Sequence, residues 1–317
     1  MKYWAAALAL LVSGAAAAQP VPTTAPVQDW SNIETVVVTA HPGPALWHIS
    51  RNGSDVWILG TVSPMPKSLE WNQKPLTDII TGARMVYLPP RLTAGFFETS
   101  WFLLTGMHKI KQPDGQTFRA SLPPDLRTRY ENWMAKLEKK ADEDDKYLAA
   151  IAALDLENSF RSSAALDGKD AGPTIERIAG HVDADTKPLA VYEALPIADE
   201  IETMSPQTQQ QCMKDALDDL DVQSVNAQLA AQAWATGDLA GVKAHYSEAK
   251  LNGCFEQTRT FAAARDQIVG LAMNAVNESL SKPGKNLIVM DMGYLLRNNG
   301  LLDRLAARGI TVEGPAN

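Results

Sequence analysis

Asn286-Leu287-Ile288-Val289-Met290, followed after a polar stretch by Leu301-Leu302-Asp303-Arg304-Leu305-Ala306-Ala307-Arg308-Gly309-Ile310-Thr311-Val312, sets the fold class. The first run is short, apolar and rich in branched side chains, which predicts a buried strand. Asp291 to Asn299 reads as a loop. Leu301 to Arg308 is an amphipathic helix that Gly309 stops, and Ile310-Thr311-Val312 forms a last strand. A strand–loop–helix–strand unit belongs to an α/β fold, in which chemistry collects at the C-terminal ends of strands.

Working outward, Leu46 to Arg51 and Asp55 to Gly60 are two strand-like runs separated by Asn52-Gly53. Asn-Gly suits a type I′ hairpin turn because both central residues need positive φ. Trp47, Ile49, Val56 and Ile58 supply a period-2 apolar pattern, as one buried sheet face requires. Asn72–Ala83 predicts a helix with Leu76, Ile79 and Ile80 on one face. Met85-Val86-Tyr87-Leu88 predicts a buried strand ended by Pro89-Pro90. Residues 91–250 read as mainly helical. They include a helix through Leu126, Tyr130, Trp133 and Leu137, a solvated charged turn over Lys136–Lys146, and a short strand over Pro188 to Tyr192. A helix pair, Val222–Thr236 and Leu239–Leu251, turns at Gly237-Asp238, and a long helix spans Phe255 to Leu280. The expected fold is α/β (mixed α+β), with a central mixed sheet from the N-terminal hairpin and the C-terminal strands, flanked by many helices.

The 317 residues are 45% hydrophobic and 21% charged, an ordinary globular composition, with a formal net charge of −8. An acidic chain without a basic stripe is not expected to bind nucleic acid. Residues 1–18 read as a signal peptide: Lys2 gives a positive start, Trp4 to Val12 an apolar stretch too short to span a bilayer, and Ala16-Ala17-Ala18 a cleavage site. Residues 19–44, with Pro20, Pro22, Pro26, Pro42 and Pro44, read as an extended linker. It carries one β-prone island, Thr35–Thr39, able to pair with another sheet edge. The domain occupies 45–317. No later run is long and apolar enough for a transmembrane anchor, so the mature chain is expected to be periplasmic or secreted. Export implies an oxidising compartment, where Cys212 and Cys254 are expected to pair. Two separate buried thiols are the alternative.

The five histidines, His41, His48, His108, His181 and His245, show no HxxxH or HxH spacing. No Gly-x-Ser-x-Gly elbow, Walker loop or dinucleotide glycine pattern occurs. Trp57 and Trp71, beside the Gly60–Ser63 turn, read as core residues or as an aromatic wall of a cleft.

Several elements in order resemble the TraB/GumN family, which is related to the Tiki-type metalloproteases. They are Pro44-Ala45-Leu46-Trp47 leading to Gly60-Thr61-Val62-Ser63 and Pro66; Lys187 to Glu193 followed by Gln207–Gln211; Trp234-Ala235-Thr236-Gly237-Asp238; Arg265; and Val289 to Leu302. Together they span most of residues 44–313. The resemblance implies a divalent-metal site made by two Gly-x-x-His motifs at strand ends and a glutamate. This chain departs at each ligand. Ser63 stands for the first histidine and Tyr294 for the second. Asp291 replaces the glycine three residues before Tyr294, and Pro89 lies where the carboxylate belongs. Hydroxyls are poor ligands for zinc-type ions, so no metal and no other cofactor is expected.

The sequence thus predicts a non-catalytic member, a pseudoenzyme, that binds a peptide, protein or small ligand in a relict cleft. Ser63, Glu193, Arg265, Asp291, Tyr294 and His48 are the candidate cleft residues. Glu193 and Arg265 are expected to form an ion pair, and His48 to approach the cleft rim. The alternative is a residual metal-dependent hydrolase or protease with a remodelled site, or one using Glu193 and Asp291 as acid and base.

Overall fold

A computed structural model describes residues 36–38, 43–93, 95, 100, 102, 104–166, 171–193 and 195–315. The signal-peptide segment, most of the proline-rich linker and His41 lie outside the described residues.

The chain opens with β1 (Val36–Val38), then the hairpin β2 (Leu46–Arg51) and β3 (Ser54–Thr61). Asn52 and Gly53 have φ of 53° and 77°, as a type I′ turn demands. Trp47, Ile49, Val56 and Ile58 are all buried, so the period-2 pattern marks the core face. Helix α1 (Lys74–Ile80) is shorter than expected but buries Leu76, Ile79 and Ile80. It leads to β4 (Ala83–Leu88), then β5 (Arg91–Thr93).

The helical middle comprises α2 (Phe118–Ser121), α3 (Pro124–Lys136), α4 (Ala149–Ser163) and α5 (Ala171–His181). The strand expected over Pro188 to Tyr192 is two strands, β6 (Thr186–Pro188) and β7 (Val191–Glu193), which join different sheets. After α6 (Leu195–Glu202) comes α7 (Pro206–Thr236), much longer than the predicted Val222–Thr236. Ser205 caps it by accepting the Thr208 N–H, Pro206 starts it, and Gly237 ends it at φ 76°. At 31 residues it is roughly 46 Å long. That length lets its first half pack in a helical core with Phe118, Tyr130 and Leu156, while Ala230 to Trp234 pack under the sheet.

The predicted partner helix, Leu239–Leu251, is broken. It is α8 (Leu239–His245), an irregular segment, and α9 (Lys250–Phe255). The long helix α10 (Arg259–Leu280) precedes β8 (Gly284–Asp291). The expected loop after β8 contains a short helix, α11 (Met292–Leu296), started by Asp291, and α12 (Leu301–Ala307) follows. The last strand is β9 (Glu313–Pro315) rather than Ile310–Val312.

The main sheet has the order β1-β9-β2-β3-β8-β4-β6. The hairpin pair β2/β3 is antiparallel, whereas β3/β8, β8/β4 and β4/β6 are parallel. The expected α/β fold with a mixed sheet is therefore what the chain adopts. Strand β8 lies between β3 and β4 and buries residues on both faces, which explains its uninterrupted apolar run. The β-prone island pairs within the chain, Val36–Val38 running parallel to Glu313–Pro315. A second, two-stranded sheet joins β5 to β7. Among the described residues no helix is long and apolar enough to cross a membrane.

Candidate functional site

Parallel pairing of β3, β8 and β4 brings their C-terminal ends to one side of the sheet. Thr61 at the end of β3 sits opposite Asp291 at the end of β8. Ser63 follows the first strand, Asp291 ends the second and Tyr294 follows it. These three residues and Arg265 line a single cleft of about 480 Å³. The structure thus brings four of the sequence candidates into one cleft.

The remaining wall is the irregular stretch between α8 and α9, which carries Tyr246 and Glu248, with Glu256 after α9 and Arg161 from α4. Two anchors on α7 fix this stretch. Buried Asp219 accepts the Lys250 and Leu251 N–H groups at 2.9 and 2.8 Å. Cys212 forms a disulfide with Cys254, as expected for the pair. Burial pushes the Asp219 carboxyl up to about 7, against the pull of its two backbone donors and with the help of nearby Glu157. Tyr246 and Glu248 were missed because the sequence shows no proline or glycine between Leu239 and Leu251 except Gly241, so the helix break is silent; Glu256 was read as part of the helix Phe255 to Leu280, which starts only at Arg259.

Asp291 is the electrostatic centre. Its carboxylate accepts the Tyr246 hydroxyl at 2.5 Å and the Gly293 N–H at 2.8 Å. Burial raises its pKa to about 6, the Tyr246 hydrogen bond opposes the rise, and the Glu248 carboxylate adds to it. Tyr246 is itself pushed well above the usual phenol range by burial and by Asp291. Tyr294 is raised to about 12 by burial and by the neighbouring Glu248 and Glu256 carboxylates, and the Arg297 guanidinium lies 4.1 Å from its ring centre. Both tyrosines are therefore neutral hydrogen-bonding groups. Asp291 also has a plain structural duty as the cap of α11.

Two candidates lie elsewhere. Glu193 is exposed at the end of β7 and borders a separate depression with Lys109 and Asp199. The expected Glu193–Arg265 ion pair does not form, because Arg265, on α10, reaches Glu256 nine residues earlier in the chain. Glu193 and Asp291 consequently cannot act as an acid–base pair in this cleft. His48 lies between Asp55 at 2.9 Å and Glu313 at 3.2 Å and stacks on Trp57, 4.2 Å between ring centres. It borders a different cavity of about 400 Å³ that shares no residue with the cleft. Trp71 packs edge-on against buried Trp234, a core contact rather than a cleft wall.

A model of the TraB/PrgY/gumN family matches residues 45–314. The chain belongs to that family. No curated protein and no solved structure matches it. In this TraB/PrgY/gumN chain, no group of three or more His, Cys, Asp or Glu side chains is arranged to hold a metal ion among the described residues. Ser63 and Tyr294 do share the cleft, but the groups they present are hydroxyls, which bind zinc-type ions poorly. The residues present do not fit the metal that the resemblance implies.

Proposed function

We propose that this TraB/PrgY/gumN protein is exported and non-catalytic, binding a peptide, protein or small ligand in the cleft at the C-terminal ends of β3 and β8. The observation that carries the reading is the cleft itself: it is open and polar, with Ser63, Tyr246, Asp291 and Tyr294 supplying hydrogen-bonding groups. The signal-like sequence of residues 1–18 and the Cys212–Cys254 disulfide support export.

A second reading has one specific observation behind it. A carboxyl held near pH 6, hydrogen-bonded to a buried phenol and beside Glu248, is suited to moving a proton, so a residual hydrolase using Asp291 is the alternative.

Metal analysis of protein purified without chelator separates these readings from a remodelled metal site. The binding reading expects no stoichiometric transition metal, and one tightly held equivalent contradicts it. N-terminal sequencing of the chain recovered outside the cytoplasm tests export, with a start at Gln19 expected and an uncleaved cytoplasmic chain contradicting it.

A further inference from the structure

In the main sheet β4 lies between β8 and β6. Past Pro89-Pro90 the β4 chain continues as β5, and past Leu189-Ala190 the β6 chain continues as β7, so the small sheet prolongs this strand pair. Strand β8 does not follow. It ends at Asp291 and the chain turns into α11. Among the described residues β5 therefore pairs on one side only, with β7, and its other edge lies toward the end of β8.

The register tells which main-chain groups that edge presents. The Arg91 N–H donates to the Ala190 carbonyl, and Arg91, Leu92 and Thr93 stand beside Val191, Tyr192 and Glu193. In a parallel ladder alternate residues turn both their N–H and C=O to the same neighbour. Arg91 and Thr93 face β7, so the Leu92 N–H and C=O point away from it. Neither group has a hydrogen-bond partner among the described residues, and all three residues of β5 are exposed.

A pocket of about 230 Å³ adjoins this edge and shares Asn252, Glu256, Arg265 and Tyr294 with the polar cleft. Leu92 forms its rim and is 49% exposed, while Ile197, Phe261, Ala264 and Ile268 supply an apolar wall. A free main-chain donor and acceptor beside an apolar pocket suit an extended peptide: strand pairing supplies affinity and the pocket selects one side chain. Charge narrows the choice. Arg161, Lys250 and Arg265 on the cleft lining are held by Glu157, Asp218 and Glu256. Glu248 is 28% exposed, and its arginine, Arg297, stands 3.8 Å away. A basic side chain complements this lining and an acidic one does not.

We propose that an extended peptide adds as a strand to the free edge of β5, with a large apolar side chain in the pocket and a basic side chain beside Glu248. The inference rests on the reading of the adjoining cleft as a binding site and names the class of partner it takes.

The test is calorimetric titration of the full mature chain with the blocked peptide acetyl-Ala-Lys-Leu-Ala-amide and three altered copies. Replacing its leucine by alanine is expected to weaken binding about tenfold. Replacing its lysine by glutamate is expected to weaken it about fivefold. N-methylation of its lysine and leucine nitrogens, which blocks strand pairing, is expected to weaken it at least about tenfold. In the protein, Leu92→Pro removes the outward N–H and Leu92→Ala keeps it. Leu92→Pro is expected to bind the parent peptide about tenfold more weakly than Leu92→Ala. Its melting temperature should match that of Leu92→Ala, because an edge strand tolerates proline where the N–H faces outward. Equal binding of the N-methylated peptide overturns strand addition, as does equal affinity in the two folded variants. Equal binding of the alanine copy overturns the pocket assignment, and equal or tighter binding of the glutamate copy overturns the charge assignment. No saturable binding of the parent peptide overturns the proposal as a whole, and the cleft reading is then judged by its own metal analysis.

Discussion

Tyr246 and Asp291, 45 residues apart, meet across the cleft with the phenol donating to the carboxylate at 2.5 Å. This contact ties the irregular segment after α8 to the end of β8. Burial and the Glu248 carboxylate outweigh that hydrogen bond, so the folded pKa of Asp291 stands near 6 rather than at the ordinary value.

That shift fixes a pH dependence. An unfolded aspartate titrates near 3.9, so between about pH 4 and 6 the folded chain holds a proton that the unfolded chain has released. Stability contributed at this site therefore falls as pH rises through that window, by at most about 3 kcal/mol. Asp291→Asn, which keeps an acceptor for Tyr246, is expected to be more stable than the wild type at pH 7.5 and equal to it near pH 4. Urea unfolding at the two pH values measures this, and a variant less stable at pH 7.5 would refute the assignment.

Gly60 lies where α11 crosses the end of β3. A Cβ there would sit 2.6 Å from the Met292 sulfur and 3.0 Å from Leu295 Cδ2. Its carbonyl also accepts the buried Trp234 indole N–H at 2.7 Å. Gly60→Ala should cost about 1–3 kcal/mol through overpacking. It should also displace the helix that Asp291 caps. Thermal unfolding checks the first effect; an unaltered melting temperature would show that Met292 simply moves aside.

The Cys212–Cys254 bond closes a loop with a sequence separation of 42 residues. In the chain-entropy model such a closure contributes about 4 kcal/mol. The Cys212→Ser/Cys254→Ser variant is expected to lose about 2–4 kcal/mol in urea unfolding and to loosen the α9 wall of the cleft. Hydrogen exchange over residues 246–256 reports the loosening. Equal stability with and without the bond would remove its assigned role.

Ser63 and Tyr294 line the same cleft as Asp291 and Glu248. Ser63→His/Tyr294→His therefore places two imidazoles beside two carboxylates, a donor set suited to zinc. The variant is expected to bind zinc at least about tenfold more tightly than the wild type, measured against a competing chelator. No gain would mean that these positions do not correspond to the family's ligands in space.

Local features were legible in the sequence because their causes are local. Asn52-Gly53 gives the hairpin turn through backbone sterics, and the alternation of Trp47, Ile49, Val56 and Ile58 gives the buried face. Asp291 and Tyr294 were legible as cleft residues because they follow a strand whose apolar run announces a central position. Boundaries were less legible. The strand at Glu313–Pro315 has little β propensity, and pairing with β1 and His48 of β2 places it there. The 31-residue helix α7 bridges two cores, a length that its mixed polar and alanine-rich sequence does not announce.

The sequence by itself determined the family, the α/β class, the central strands and the hydroxyl side chains of Ser63 and Tyr294 near the strand ends, since each is written in residue type, period and order. Tertiary structure alone decided which charges meet. Arg265 takes Glu256 and not Glu193, His48 sits with Asp55 and Glu313 away from the cleft, and Tyr246 reaches Asp291. Periodicity reports which face of an element is buried. The partner of a side-chain tip depends on where distant elements cross, and packing sets that across the whole chain.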